Sequence, residues 1–142
     1  MEASYQFIDH TADVLFKAAA KTLPELFEQC GLAVEETQVD LSKVEQKKKT
    51  RFSVEGKDTE RLLFNFLDEL LFYKDAEQLL FNRFEIEIKE KEGGFKLHCI
   101  AHGEKLDVEK HHPKVDVKAI TMHLFKVEKK RNGWEAQVLI DI

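Results

Sequence analysis

The sequence predicts an α+β fold: a two-layer domain, residues 1–142, with a mixed, mostly antiparallel β-sheet and two helices packed on one face. Three observations predict it. Two segments repeat apolar residues at helical spacing, and strand-like runs with period-two alternation stand before, between and after them. The later strands are joined by Gly-Gly and Asn-Gly signals, which favour antiparallel hairpins. The order is β-β-α-β-α-β-β-β-β, and two helices on one face of a sheet give a natural layered packing.

Tyr5 to Ile8 and Asp13 to Ala20 read as short strands flanking the polar turn Asp9-His10-Thr11, with Val14 and Phe16 on one face. Thr22 is the expected N-cap of the first helix, with Pro24 in the first turn and Glu25 completing a capping box. Leu23, Leu26, Phe27, Cys30 and Val34 recur at helical spacing, so the helix is placed over about Pro24 to Glu36. Residues 42–55 mix Val44, Phe52 and Val54 with Lys43, Lys47, Lys48, Lys49 and Arg51. This reads as a solvated edge strand, which lysines protect from further pairing, ahead of a nucleic-acid patch.

Asp58 or Thr59 caps the second helix, whose wide stripe is Leu62, Leu63, Phe66, Leu67, Leu70 and Leu71. It is the expected central packing element. Phe84, Ile86 and Ile88 then alternate with charged residues. Gly93-Gly94 turns the chain, and Phe95, Leu97, Cys99 and Ala101 share a face of the return strand. A polar loop is expected from His102 to Asp116. Val117 to Val127 is extended, and Asn132-Gly133 leads into a last strand from Trp134 to Ile142.

Composition narrows the function. The chain has 142 residues, 43% of them apolar, enough for a core without disulfides or a structural metal. The formal charge of −5 disfavours autonomous RNA binding, which relies on neutralising phosphates, and suits a protein or metal partner. Cys30 and Cys99 have no CxxC companion and read as buried thiols. No secretory pattern and no membrane-spanning apolar run occurs, so a cytoplasmic location without membrane association is expected.

Phosphate-binding glycine loops, HExxH and the nucleophile elbow are missing. His98 and His102 share a strand face, and His111-His112 precedes Pro113. With no third ligand defined, these read as exposed or loop histidines rather than zinc ligands. Two features remain. One is the polar cluster Asp9-His10-Thr11-Ala12-Asp13. The other is Asp141, which points away from the apolar face of the last strand, beside Ile142. Carboxylates there, with the terminal oxygens of Ile142, are hard ligands suited to calcium or magnesium. The alternatives are a turn cap for Asp13 and a solvated surface position for Asp141.

These residues carry a resemblance. Phe7-Ile8-Asp9-His10-Thr11-Ala12-Asp13, Thr22-Leu23-Pro24-Glu25-Leu26-Phe27 and Leu67-Asp68-Glu69-Leu70-Leu71 resemble the archease family. So do Val117-Lys118-Ala119-Ile120-Thr121-Met122-His123, Gly133-Trp134 and Leu139-Ile140-Asp141-Ile142, in the same order along the chain. The chain departs from the family pattern at Phe66, at His112-Pro113-Lys114 and at Met122.

The resemblance implies a small α+β accessory protein for an RtcB-type tRNA-splicing RNA ligase, promoting its GTP-dependent guanylylation and multiple turnover. It implies a divalent-metal site, calcium in the family, held by Asp13, Asp141 and Ile142, with RNA contacted only through the ligase. Lys118 and His123 match family positions without an assigned role. The accessory reading expects no catalysis by the chain itself. The rival readings are a small metal-dependent hydrolase with His10 or His123 as base, and a chaperone or specificity factor for tRNA-modifying enzymes.

Overall fold

The structure of the protein, a computed structural model, describes residues 1–8 and 13–142. The strands are β1 (Ser4–Ile8), β2 (Val14–Ala20), β3 (Lys48–Gly56), β4 (Leu79–Lys91), β5 (Gly94–Lys105), β6 (Ala119–Lys130) and β7 (Gly133–Asp141). The helices are α1 (Leu23–Gln38), α2 (Thr59–Glu77) and the single turn α3 (Val108–His111), and a 3-10 turn covers Leu41–Lys43.

Both long helices start where their caps dictate. The Thr22 side chain accepts the Glu25 N–H at 3.3 Å and its hydroxyl donates to the Glu25 carboxylate at 2.9 Å. Asp58 accepts the Arg61 N–H at 2.7 Å, which fixes the start of α2.

The α+β class holds, but the expected single mixed sheet is two sheets, and every strand pair in them is antiparallel. One has the order β1-β2-β7-β6 and the other β3-β5-β4. The reason lies in the helices. On α2 the buried residues come as adjacent pairs, Leu62–Leu63, Phe66–Leu67 and Leu70–Leu71, a stripe too wide for one sheet to cover. Each long helix therefore packs on both sheets, α1 mainly on β2 and β4, α2 mainly on β3 and β6. One continuous core results, with Phe16, Val138 and Ile140 from the first sheet, Leu97 and Phe84 from the second, and Phe27 and Phe66 from the helices. Within each sheet the apolar face is turned to the helices, as the alternation predicts.

Among the described residues β3 pairs only with β5, so Lys48, Lys49 and Arg51 of the basic segment lie on an edge strand, and Lys43 and Lys47 precede it. The polar loop placed at 102–116 is corrected. β5 runs on to Lys105, and α3 follows, capped by Asp107. Leu79, Leu80 and Phe81 also belong to β4 and are buried, so that strand starts earlier than its alternation announces. Cys30 and Cys99 are free and buried; burial pushes both thiols up, Cys99 to about 12, which leaves them inert.

The helical stripe of α1 ends on charge. Glu35 is 1% exposed and accepts the Phe81 N–H at 2.6 Å and the Gln38 amide at 3.1 Å. Burial raises its carboxyl to about 8, against the opposing pull of these hydrogen bonds and of Lys74. Between the unfolded carboxyl value of about 4.3 and this one, the folded state binds the extra proton. The stability tied to that proton is complete below the unfolded value and is lost as pH rises towards 8. Glu35→Gln keeps the hydrogen bond to Phe81 and has no charge to bury. Its stability relative to the parent rises with pH between 5 and 8, by up to about 1.4 kcal/mol per pH unit. Urea denaturation at several pH values measures this; parallel pH profiles for the two proteins would contradict it.

Candidate functional site

The first and last strands meet. β2 and β7 pair with Val14 opposite Ile140 and Leu15 opposite Leu139. The pairing ends at Val14 and Ile140; Asp13 precedes the one and Asp141 follows the other. Asp141 lies on the face turned away from the helices, since Ile140 occupies the other. Asp141 is exposed and Asp13 half-buried. Ile142 follows on the inner side, where its side chain packs against the main core.

β6 closes the site's other flank. Ala119 pairs with Asp141, and the Lys118 N–H donates to the Asp141 carbonyl at 2.8 Å. Lys118 itself is exposed. The register with β7 breaks between Thr121 and Lys126, so Met122, His123, Leu124 and Phe125 bulge against a single β7 residue. Leu124 is held at φ +58°, unusual for a bulky side chain, and its carbonyl accepts the Gln137 amide at 2.9 Å. Met122, His123 and Leu124 are exposed there.

The structure thus brings Asp141 and the backbone of Lys118 together and sets the start of β2 beside the end of β7, with Ile142 anchoring the strand end. The candidates Asp9, His10, Thr11 and Ala12 lie outside the described residues. Among the described residues, no group of three or more His, Cys, Asp or Glu side chains gathers as a metal site. The available donors are two carboxylates and backbone oxygens. That all-oxygen set fits a hard divalent ion such as calcium or magnesium and not zinc.

Of the other histidines, His102 and His111 differ from their expected places, and His98 does not. His98 is exposed and bonds the Ser53 hydroxyl at 2.7 Å. His102, expected to be exposed, is 4% exposed, with its Nε2 at 2.5 Å from Glu85. His111, expected in a polar loop, is fully buried. Its Nδ1 accepts the Asp107 N–H at 2.9 Å, so its Nε2 carries the proton donated to Glu104, also at 2.9 Å. Burial alone would raise Glu104. Hydrogen bonds from Lys110, the Glu45 N–H and His111 outweigh it and hold the carboxyl down at about 2. This network binds α3 to β5 and to the segment before β3. Its sequence signal was the spacing Glu104…Asp107…Lys110-His111, an N-cap with partners one turn on, hidden in a polar stretch.

The sequence model of the archease protein family (MTH1598/TM1083) matches residues 5–142. The chain belongs to the archease family. The protein archease of Pyrococcus abyssi is 46% identical over 139 residues, which span 97% of this chain and 98% of the relative. That of Methanosarcina mazei is 35% identical over 139 residues, 97% of this chain and 95% of the relative. The solution structure of Methanobacterium thermoautotrophicum protein 1598 superposes with a TM-score of 0.87 at 37% identity, covering 97% of this chain and 98% of that one. The archease fold, with its two sheets and two long helices, therefore extends over nearly all of this chain. No helix among the described residues is long and apolar enough to cross a membrane.

Proposed function

We propose that this archease acts in tRNA splicing as an accessory protein: it binds a divalent cation, calcium, and activates an RtcB-type RNA ligase by promoting its guanylylation and multiple turnover. The observation that supports this reading is the membership of the archease family, in a chain whose β2 starts beside the end of β7, Val14 opposite Ile140. Asp13 and Asp141 would hold the ion through their carboxylates, with a backbone oxygen of Ile142 as third donor. The ion supplies charge neutralisation and a fixed link between the start of β2 and the end of β7. The Lys118 N–H holds the Asp141 carbonyl, and the Ile142 side chain is seated in the core, so the end of β7 is fixed from two sides. The exposed Lys118 and the rigid sheet end form the surface offered to the ligase. The chain's formal charge of −5 fits a protein partner, with RNA reached only through it.

A ligation assay with the ligase limiting and GTP in excess tests the proposal. With this protein present, ligated RNA rises well above one product per ligase molecule. Product that stops at one turnover with and without the protein would overturn the reading.

A further inference from the structure

The chain has three asparagines, and the fold treats them differently. Asn65 lies in α2, and its amide donates to the Glu55 carbonyl at 2.7 Å. Asn82 lies in β4, and its amide donates to the Val44 carbonyl at 2.7 Å. Both are half-buried. Asn132 is exposed in the two-residue turn between β6 and β7, and Gly133 follows it. We propose that Asn132 is a site of spontaneous chemical modification, at which the side-chain amide is lost as ammonia and the residue becomes isoaspartate or aspartate.

The reaction needs only water. The backbone nitrogen of Gly133 gives up its proton and bonds to the Cγ of Asn132. The Cγ–Nδ2 bond breaks, and the amide nitrogen leaves as ammonia with the proton that Gly133 lost. A five-membered imide remains. Water opens it at the backbone carbonyl to give isoaspartate, or at Cγ to give aspartate. Nothing is oxidised or reduced.

Three observations carry the proposal. First, of the six glycines only Gly133 follows an asparagine or aspartate, and a glycine has no side chain to shield the attacking nitrogen. Gly133 is also fixed by packing, since a Cβ on it would lie 2.3 Å from the Ala20 carbonyl oxygen. Second, Arg131, Asn132 and the residues just before them are exposed at a hairpin tip. Loop tips open locally at little cost, and ring closure needs such an opening. Third, Lys129, Lys130 and Arg131 precede the site. Glu128, bonded to Lys130 at 2.8 Å, and Glu135 oppose them. Three cations against two carboxylates favour the anionic nitrogen that closes the ring. Isoaspartate adds one carbon to the main chain of the turn and so moves Gly133 from its seat against Ala20. The turn stands at the opposite end of β7 from Asp141, so the modification is independent of the proposed metal site.

The test incubates the whole folded protein at pH 6 and at pH 8. Peptide mass mapping follows each asparagine, and an isoaspartyl methyltransferase with labelled S-adenosylmethionine reports isoaspartate. The peptide holding Asn132 should gain methyl-accepting isoaspartate, faster at pH 8, while Asn65 and Asn82 stay intact. Asn132→Ser should lose the methyl signal. Neither Arg131 nor Asn132 has a positive φ, so the turn accommodates serine. Conversion of Asn132 only in urea, conversion of Asn65 or Asn82 at the same rate, or an undiminished methyl signal in Asn132→Ser would overturn the proposal.

Discussion

Asp13→Ala and Asp141→Ala each abolish ligase stimulation while the domain remains folded. The expectation follows from position. Asp141 is exposed and Asp13 half-buried, and neither side chain enters the core, so truncation removes oxygen ligands and leaves the packing intact. In the absence of metal each variant is therefore expected to be about as stable as the parent. Loss of stimulation with an unchanged thermal unfolding midpoint is the expected pair of results. Asp141→Asn, which keeps an oxygen but loses the charge, should retain weaker stimulation that recovers at high calcium. A variant lacking either carboxylate that stimulates ligation like the parent would remove the site from the mechanism.

The largest effect on stability is expected at Phe66→Ala, a loss of roughly 3–5 kcal/mol. Phe66 is fully buried in the middle of α2. Its ring lies 5.9 Å from that of Phe27 on α1, 6.1 Å from Phe52 on β3 and 5.8 Å from Phe84 on β4. Truncation opens a cavity shared by three elements that cannot all close on it, so the loss falls at the upper part of the range for large-to-small changes. Against a typical total of about 5–15 kcal/mol, this is a large share of the domain's stability. A urea midpoint analysis measures it. A change below about 1 kcal/mol would mean that α2 is peripheral to the core.

The helices were legible residue by residue. All six residues of the predicted α2 stripe are buried, and Thr22 and Asp58 cap as their side chains suggest. The strands were legible as strands, but their division between two sheets was not. Period-two alternation tells which face of a strand is apolar and says nothing about which strand lies beside it. The pairing of β3 with β5, across α2 and β4, is a property of the whole chain.

The hairpin glycines misled by one residue. The turns are Glu92-Gly93 and Arg131-Asn132, and Gly94 and Gly133 begin the following strands. Gly133 is required there by close approach: a Cβ on it would lie 2.3 Å from the Ala20 carbonyl oxygen, at a φ of +155° that side chains rarely adopt.

Residues 102–116 were misread for a different reason. Glu104 and His111 satisfy each other inside the protein, and a polar residue whose partner is elsewhere in the sequence looks solvated when read alone. Glu35 escaped notice in the same way, although it falls on the same side of α1 as Phe27, Gly31 and Gln38. For the candidate site, the residue types suggested oxygen ligation and the family resemblance named the ligands. Only the β2–β7 register shows that the start of β2 lies beside the end of β7.

Calcium titration of the metal-free protein by isothermal calorimetry tests the central claim most directly. The parent should bind one calcium ion per chain, Asp13→Ala and Asp141→Ala should show no binding heat, and zinc should not compete effectively. A parent protein that binds no calcium, or an Asp13→Ala, Asp141→Ala double variant that binds it as the parent does, would contradict the account.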